Sequence, residues 1–302
     1  MRLEILRVLK TDSYSVLELC EIFKVKQPSL SHHLKIMAKA RTVTTRREGN
    51  SIFYRRALAN IELPHGQLLQ TLYQTIDRSA LASDTDHRIN QIKLQRAQLS
   101  RQFFNKHASQ FQQQQELIAQ YDQYADSAKE LLQHCLPSAH SDALEIGPGR
   151  GEFLRELSPV FNKVIALDIS EEMLGQAENF ASDEQLNNVE FLLGDTQVAI
   201  DSGLKVNHIA CNMVLHHVPS PADVFHHCST LLNDGGTLVI SDLCRHDQHW
   251  TRESCGDLWL GFDPEELSEW AQESGLTHQE SLYLGLRNGF QIQLQRFDKT
   301  AG

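Results

Sequence analysis

Long hydrophobic runs are missing from this 302-residue sequence. Its aliphatic stretches are short and interrupted by polar residues, so we predict neither a membrane-spanning helix nor the apolar core of a secretory leader. Paired cysteines are missing too, because the six cysteines form no C-x-x-C motif and stand at positions 20, 135, 211, 228, 244 and 255. Scattered thiols are typical of a reducing compartment rather than of a disulfide framework, and we therefore expect a cytoplasmic protein that does not bind membranes.

Basic residues are scarce in the second half of the chain. Residues 140–302 carry nine Lys and Arg against 26 Asp and Glu, whereas residues 1–60 carry twelve against five. An acidic body repels a polyanion, while a basic head attracts one. We therefore predict that nucleic acid binds at the N-terminal end.

Proline and glycine are absent from residues 67–136. A segment without these helix breakers favours helices over a flexible linker, and the pattern predicts helices over 66–76 and 86–123. An apolar stripe on the second helix comprises Ile92, Leu99, Phe103 and Phe111. The stripe is expected to pack on the next domain, on the second subunit of a homodimer, or over a ligand site. We interpret residues 58–135 as a helical connector that contributes to dimerisation.

Three glycines at alternate positions follow a short apolar run that contains Glu145. The segment Ala143-Leu-Glu-Ile-Gly-Pro-Gly-Arg-Gly-Glu-Phe-Leu154 predicts a strand, a tight loop and the start of a helix. Alternate glycines let a ligand approach the backbone and permit positive φ where the chain turns. A dinucleotide-binding fingerprint needs its third glycine at position 152, which is Glu, and Glu145 would repel a diphosphate but pair with an ammonium group.

The pattern E-x-G-x-G-x-G resembles the first motif of class I S-adenosylmethionine-dependent methyltransferases. Three later segments resemble further motifs of that family in the expected order, namely Val164-Ile-Ala-Leu-Asp168, Val189-Glu-Phe-Leu-Leu-Gly-Asp195-Thr and Ile209-Ala-Cys-Asn-Met-Val-Leu-His-His217. The resemblance implies an α/β domain over residues 136–302, with a Rossmann-like, seven-stranded, mostly parallel sheet whose last strand is antiparallel. It also implies S-adenosylmethionine or S-adenosylhomocysteine as the ligand, held by Glu145, Gly147, Gly149, Gly151, Asp168, Met173, Asp195, Thr196 and Asn212.

The same resemblance implies a role for each acid. Glu145 and the loop hold the methionine end of the cofactor, Asp168 accepts the ribose hydroxyls, and Asp195 contacts the adenine amine. Tyr121 and Tyr124 lie where related methyltransferases close the cofactor pocket from the N-terminal side.

The acceptor side of a methyl transfer is less well marked. His216 and His217 follow the predicted fourth strand, where a base that titrates near neutral pH could assist an oxygen or nitrogen nucleophile. The alternative is that Leu-His-His forms a structural turn. Further along, His246-Asp-Gln-His-Trp250 matches no standard zinc spacing, so no metal site is predicted. We interpret that stretch as a lid with Trp250 and Trp259 as apolar walls.

The first 57 residues predict three helices followed by a hairpin. Ser15-Val-Leu-Glu18 is a capping box that begins the second helix, and Pro28 suits the first turn of the third. Strands are predicted over 42–47 and 51–56, around a turn at Glu48-Gly-Asn50. A helix-turn-helix with a basic hairpin is a winged helix, whose last helix enters the major groove of DNA.

Two stretches of this winged helix, Gln27-Pro-Ser-Leu-Ser-His-His-Leu-Lys35 and Arg46-Arg-Glu-Gly-Asn-Ser-Ile-Phe-Tyr54, resemble the ArsR/SmtB family of bacterial repressors. The resemblance implies a homodimer that binds double-stranded operator DNA through Gln27, Ser29, Ser31, His32, His33, Lys35, Arg46 and Arg47. Two departures stand out. The chain begins at what would be the family's second helix, and Ile22 replaces the second thiolate of the family's metal box, which leaves Cys20 as a small apolar residue.

Three functions fit these observations over domains 1–57, 58–135 and 136–302. The first is a repressor whose methyltransferase-like domain binds S-adenosylmethionine or S-adenosylhomocysteine as an effector. The second is an active small-molecule methyltransferase with a DNA-binding head that regulates its own gene. The third is a metal-responsive repressor.

Overall fold

A computed structural model of the chain describes residues 1–10, 12–48, 51–57, 59, 65–133 and 141–300. The chain folds into two compact units, Met1–Ala97 and Gln98–Gly302. The predicted hairpin turn at residues 49–50 lies outside the described residues, as do residues 58, 135 and 136 at the predicted domain boundaries. The division after Ala97 falls inside the predicted connector.

The N-terminal unit is mostly helical. Its elements are α1 (Arg2–Val8), β1 (Tyr14–Ser15), α2 (Val16–Phe23), α3 (Gln27–Lys39), β2 (Val43–Glu48), β3 (Ser51–Arg56), α4 (Gly66–Asp77) and the first part of α5 (Ser83–Ile118). The three strands form an antiparallel sheet in the order β1-β3-β2. Helices α2 and α3, followed by the β2–β3 hairpin, are the winged helix-turn-helix predicted from the sequence.

Local signals explain how the helices of this unit begin and which face they bury. The Ser15 hydroxyl accepts a hydrogen bond from the Glu18 N–H at 3.3 Å, and Glu18 Oε2 accepts one from the Ser15 N–H at 2.7 Å, so the predicted capping box forms. On α3, Leu30, Leu34 and Met37 lie in the core because they recur at helical spacing. The polar face of α3 is thereby directed away from the core.

The C-terminal unit is a seven-stranded sheet with its helices packed against it. Its elements after α5 are α6 (Ala125–Gln133), β4 (Asp142–Ile146), α7 (Leu154–Leu157), β5 (Lys163–Asp168), α8 (Glu171–Asp183), β6 (Val189–Leu193), α9 (Thr196–Asp201), β7 (Val206–Asn212), α10 (Pro221–Leu231), β8 (Leu232–Leu243), α11 (Trp250–Ser254), α12 (Pro264–Glu273), β9 (Leu276–Gly285) and β10 (Gln291–Lys299). Short 3₁₀ turns cover Tyr121–Gln123 and Leu215–His217.

The strand order is β6-β5-β4-β7-β8-β10-β9. Strands β4 to β8 are parallel, while β10 is antiparallel to both of its neighbours, which confirms the predicted Rossmann-like sheet with an antiparallel last strand. From β4 the chain crosses to β5 on one side and later returns to β7 on the other. The carboxyl ends of β4 and β7 therefore flank the crevice in which open parallel sheets bind ligands.

Helix α5 differs from its prediction. It ends at Ile118 rather than at residue 123, because the chain turns there into the 3₁₀ helix. Of the predicted apolar stripe, Ile92 is buried within the chain, whereas Leu99 is 64% exposed. Neither α5 nor any other helix within the described ranges is long and apolar enough to cross a membrane.

Candidate functional site

The glycine loop after β4 leaves its backbone open to the close approach of a ligand. Gly147 adopts φ of +66° and Gly149 +59°, a region that favours glycine. A Cβ atom at Gly147 would lie 2.5 Å from Val214 Cγ2, so packing against the turn after β7 requires glycine there. A Cβ at Gly149 would meet no described atom within 4 Å. The backbone at Gly149 therefore borders open space that a ligand can fill.

Glu145 lies beside this loop with only 2% of its surface exposed. Its Oε2 has no hydrogen-bond partner among the described residues. Burial raises the pKa of Glu145 to about 8, although the Asn212 amide acts in the opposite direction. Tyr124 is close enough that burial and then the Glu145 charge raise its pKa as well, and the Tyr121 hydroxyl donates to the Glu152 carbonyl at 3.2 Å. Both tyrosines thus border the loop, where the sequence placed them.

Asp168 ends β5. Its Oδ1 accepts a hydrogen bond from the Ser170 N–H at 2.8 Å, which fixes the carboxylate, and burial raises its pKa to about 6. The Ser170 hydroxyl in turn caps α8 by accepting from the Met173 N–H at 3.2 Å. Met173 is buried in a small cluster with Phe104 of α5. Ser170 thus links the end of β5 at Asp168 to the first turn of α8 at Met173.

Asp195 is exposed and caps α9, because its Oδ1 accepts from the Gln197 and Val198 N–H groups at 3.1 Å each. The cap holds the carboxylate in one orientation at the end of β6. The neighbouring Thr196 hydroxyl lies 2.7 Å from Nδ1 of His227 on α10, a partner that the sequence did not reveal.

The turn after β7 is strained. Met213 adopts φ of +55°, an uncommon value for a residue with a side chain, and its N–H donates to the Ser241 carbonyl at 2.7 Å. The Asn212 Oδ1 accepts from the Ser241 hydroxyl at 2.8 Å. These two bonds to β8 hold the strained turn, and the buried His216 and His217 follow it.

His216 and His217 are both buried, and two acids lie next to them. His216 Nδ1 donates to Asp242 Oδ1 at 2.8 Å, while its Nε2 lies 3.9 Å from Asp257 Oδ1. His217 Nδ1 lies 3.6 Å from the same Asp257 oxygen, and its ring meets the Phe104 ring edge-on at 5.0 Å. The two histidines therefore belong to a buried cluster of four ionisable side chains.

The environment moves the pKa values of this cluster apart. Burial opposes protonation of His216, but the charges of Asp242 and Asp257 outweigh it and raise the pKa. Burial, with the charge of His216, holds the pKa of His217 well below its usual range. Burial also raises the pKa of Asp257 to about 6. The sequence pointed to the histidines but not to Asp257, which a loop far along the chain brings in.

The predicted lid over this region is only partly as expected. Leu258 and Trp259 donate their N–H groups to the His216 carbonyl at 2.9 and 3.1 Å, and the Trp259 indole donates to the Val218 carbonyl at 2.8 Å. Trp259 is buried and does wall this region. Trp250 is 38% exposed and lies on the surface instead.

In the N-terminal unit, the predicted DNA-contacting side chains of α3 lie along its outer face. Four are exposed and two are half-buried; the exposed ones are Gln27, Ser29, His32 and Lys35, and the half-buried ones are Ser31 and His33. On β2, Arg47 is exposed, whereas Arg46, which points to the opposite face of the strand, is only 8% exposed. A phosphate contact by Arg46 would require its side chain to move.

Two protein-family models match the chain. A model described as a methyltransferase domain matches residues 112–281, more than half of the sequence. The chain belongs to the methyltransferase domain family. A model described as bacterial regulatory protein, arsR family, matches residues 1–45, so this methyltransferase-family chain also carries an ArsR-type helix-turn-helix.

Curated relatives of this methyltransferase-family chain are enzymes. The ubiquinone biosynthesis O-methyltransferase of Coxiella burnetii is 27% identical over 146 residues, covering 44% of this chain and 62% of that protein. The protein of the same name from Methylococcus capsulatus is 27% identical over 147 residues, with the same shares. The alignments thus span about three fifths of the length of these relatives.

A solved structure shows the same fold. The magnesium protoporphyrin IX methyltransferase of Synechocystis PCC 6803, determined with bound S-adenosylhomocysteine, has a TM-score of 0.54 at 17% identity, and the match covers 67% of this chain and 99% of that one. At this identity, the likeness shows that the C-terminal unit has the Rossmann-like methyltransferase fold.

Proposed function

We propose that this protein is a DNA-binding transcriptional repressor whose methyltransferase unit binds S-adenosylmethionine or S-adenosylhomocysteine as an effector. The proposal is supported by one chain that joins an ArsR-type helix-turn-helix to a glycine loop. Beside that loop, a buried Glu145 oxygen has no hydrogen-bond partner within the described part of the chain. A ligand that binds the DNA-competent and the DNA-incompetent states with different affinities shifts the occupancy of an operator.

The residues of the predicted ligand site fit such a ligand. Glu145 offers a carboxylate to an ammonium group, and Gly149 leaves open space for the ligand. The Asp168 carboxylate, held by the Ser170 N–H, would accept bonds from ribose hydroxyls. Asp195, fixed at the end of β6, would contact an adenine amine. S-adenosylmethionine, when bound, supplies an electrophilic methyl group. Its demethylated product offers the same ammonium, ribose and adenine groups.

On the DNA side, α3 presents a polar outer face to the major groove. Gln27, Ser29, His32 and Lys35 are exposed there for base edges and phosphates, and Arg47 extends the basic surface onto the wing. A cytoplasmic homodimer binding two half-sites is the arrangement that this kind of head uses.

Calorimetric titration of both ligands into the full chain, with and without a double-stranded fragment from upstream of its own gene, tests the proposal. We expect both ligands to bind and one of them to change the DNA affinity at least fivefold, which is the low end of ordinary allosteric coupling. A chain that binds neither ligand would refute the effector role.

A second candidate function is methyl transfer to a hydroxyl group. It is favoured by the names of the curated relatives, which are O-methyltransferases, and by the two histidines that follow β7. An imidazole at that turn would take a proton from an acceptor bound beside it. Incubation with S-adenosylmethionine and a panel of small alcohols and phenols should then release S-adenosylhomocysteine faster than protein without acceptor. An unchanged rate across the panel would refute methyl transfer to a hydroxyl group, and only the effector role would then be retained.

A further inference from the structure

Three side chains of the histidine cluster converge on one point. His216, His217 and Asp257 each offer a ligand atom, and these atoms all lie within 4.8 Å of one another. All three residues are buried. They come from two segments, the 3₁₀ turn after β7 and the loop after α11, so the cluster exists only in the folded unit.

One ring nitrogen of His216 is held by a carboxylate, and the other is positioned to bind a metal ion. Its Nδ1 donates to Asp242, which is fully buried and fixes both the tautomer and the ring orientation. Its Nε2, equally buried, has no hydrogen-bond partner among the residues the structure describes, and it faces Asp257. A carboxylate behind a histidine whose other nitrogen is directed at a third group is the arrangement that supports metal-bound histidines.

The separations within the cluster suit a shared ion better than direct hydrogen bonds. Asp257 Oδ1 lies 3.6 Å from His217 Nδ1 and 3.9 Å from His216 Nε2, both longer than a hydrogen bond. Two ligand atoms that each lie about 2.0–2.2 Å from a shared metal ion are separated from each other by similar distances. Two imidazoles and a carboxylate are the ligand set of zinc and of non-haem iron, whereas magnesium and calcium prefer oxygen ligands alone.

We infer that His216, His217 and Asp257 bind one divalent transition-metal ion inside the methyltransferase unit. Three protein ligands leave a coordination position open. The inferred use of that position rests on the second candidate function, because a hydroxyl acceptor bound there would lose its proton more readily. The histidines would then act on the acceptor through the ion. Binding of the ion itself does not depend on that function.

The test uses the full chain after treatment with a chelator and dialysis against zinc chloride. We expect the unmodified chain to bind one more zinc ion per chain than the triple variant H216A/H217A/D257A, which lacks the three ligands. Asp257→Asn and His217→Gln should each weaken that site at least tenfold, and Asp242→Asn should weaken it roughly tenfold to hundredfold, the usual effect of removing a supporting carboxylate. His226→Gln removes an exposed histidine of α10 and should change nothing.

Cobalt(II) provides an independent readout, since binding at this site should give a visible absorption spectrum that zinc abolishes and that Asp257→Asn alters. Thermal unfolding of each variant establishes that it is folded. If zinc binding is the same in all variants, or if no ion beyond the background binds, the cluster is only an ion pair between His216 and the two acids and the inference is wrong. Calorimetry with S-adenosylhomocysteine on the same samples shows separately whether the ligand site is intact.

Discussion

Glu145 is the residue on which ligand affinity should depend most. Replacing it with Gln keeps its shape but leaves no carboxyl group that can give up its proton and pair with an ammonium group. Hydrogen bonds to charged groups contribute about 1.5–3 kcal/mol, so the affinity for S-adenosylhomocysteine measured by calorimetry should fall roughly tenfold or more. Glu178→Gln, on the exposed face of α8, is the matched control and should bind like the unmodified chain. Equal affinities for the two variants would contradict the role of Glu145.

The same carboxyl group makes stability depend on pH. Burial raises the pKa of Glu145 from 4.5 to about 8, so the folded chain keeps a proton that the unfolded chain has lost. This group therefore favours folding at low pH, and its contribution disappears as the pH rises from about 4.5 to about 8. Without ligand, the Tm of Glu145→Gln should fall less than that of the unmodified chain between about pH 6 and about pH 8. Parallel Tm profiles would refute this.

The site residues at the strand ends could be predicted from the sequence, because the methyltransferase motifs fix their positions along the chain. Glu145 and Asp168 lie at or next to the carboxyl ends of parallel strands, and the parallel sheet brings such ends together. Asp257 could not be predicted, because the loop that carries it has no periodicity or motif. Tertiary bonds bring it to the histidines, among them those from the Leu258 and Trp259 N–H groups to the His216 carbonyl.

At the scale of elements, two alanine substitutions in the glycine loop should distinguish ligand binding from fold stability. Gly149→Ala meets open space and costs only the strain of a positive φ, about 1–2 kcal/mol. Its side chain would enter the space in which we propose that the ligand binds, so binding should be lost while the fold remains. Gly147→Ala has the same strain and also clashes with Val214, so it should lower the Tm considerably more. Calorimetry and thermal unfolding of both variants check this. A Gly149→Ala chain that binds normally would show that the loop does not contact the ligand.

Elements defined by short-range signals could be predicted, and those shaped by distant contacts could not. The capping box at Ser15 and the strand that ends in Asp168 follow from local residue patterns. The end of α5 at Ile118 does not, because the sequence continues with good helix formers. The 3₁₀ turn that follows has a tyrosine bonded to the Glu152 carbonyl, a contact beyond the reach of local patterns.

At the scale of the molecule, charge separates the two ends of the chain, and DNA affinity should therefore depend strongly on salt. Each phosphate contact contributes about −0.9 to the slope of log affinity against log salt concentration. Arg47→Ala should make this slope shallower by about one unit while weakening binding to all sequences alike. Arg287→Ala, an exposed arginine of the acidic unit, is the control. Fluorescence anisotropy with labelled DNA over a range of salt measures both slopes, and identical slopes would argue against a wing contact.

Helix α5 runs unbroken from Ser83 to Ile118, although the boundary between the two compact units falls after Ala97. It gives Ile92 to the core of the first unit and Phe104 to the cluster with Met173 in the second. Proteases cut exposed, extended loop tips, and the continuous helix provides none at this boundary. The DNA-binding head therefore cannot be released by a single clean cut there. A chimera that exchanges heads should therefore keep α5 whole.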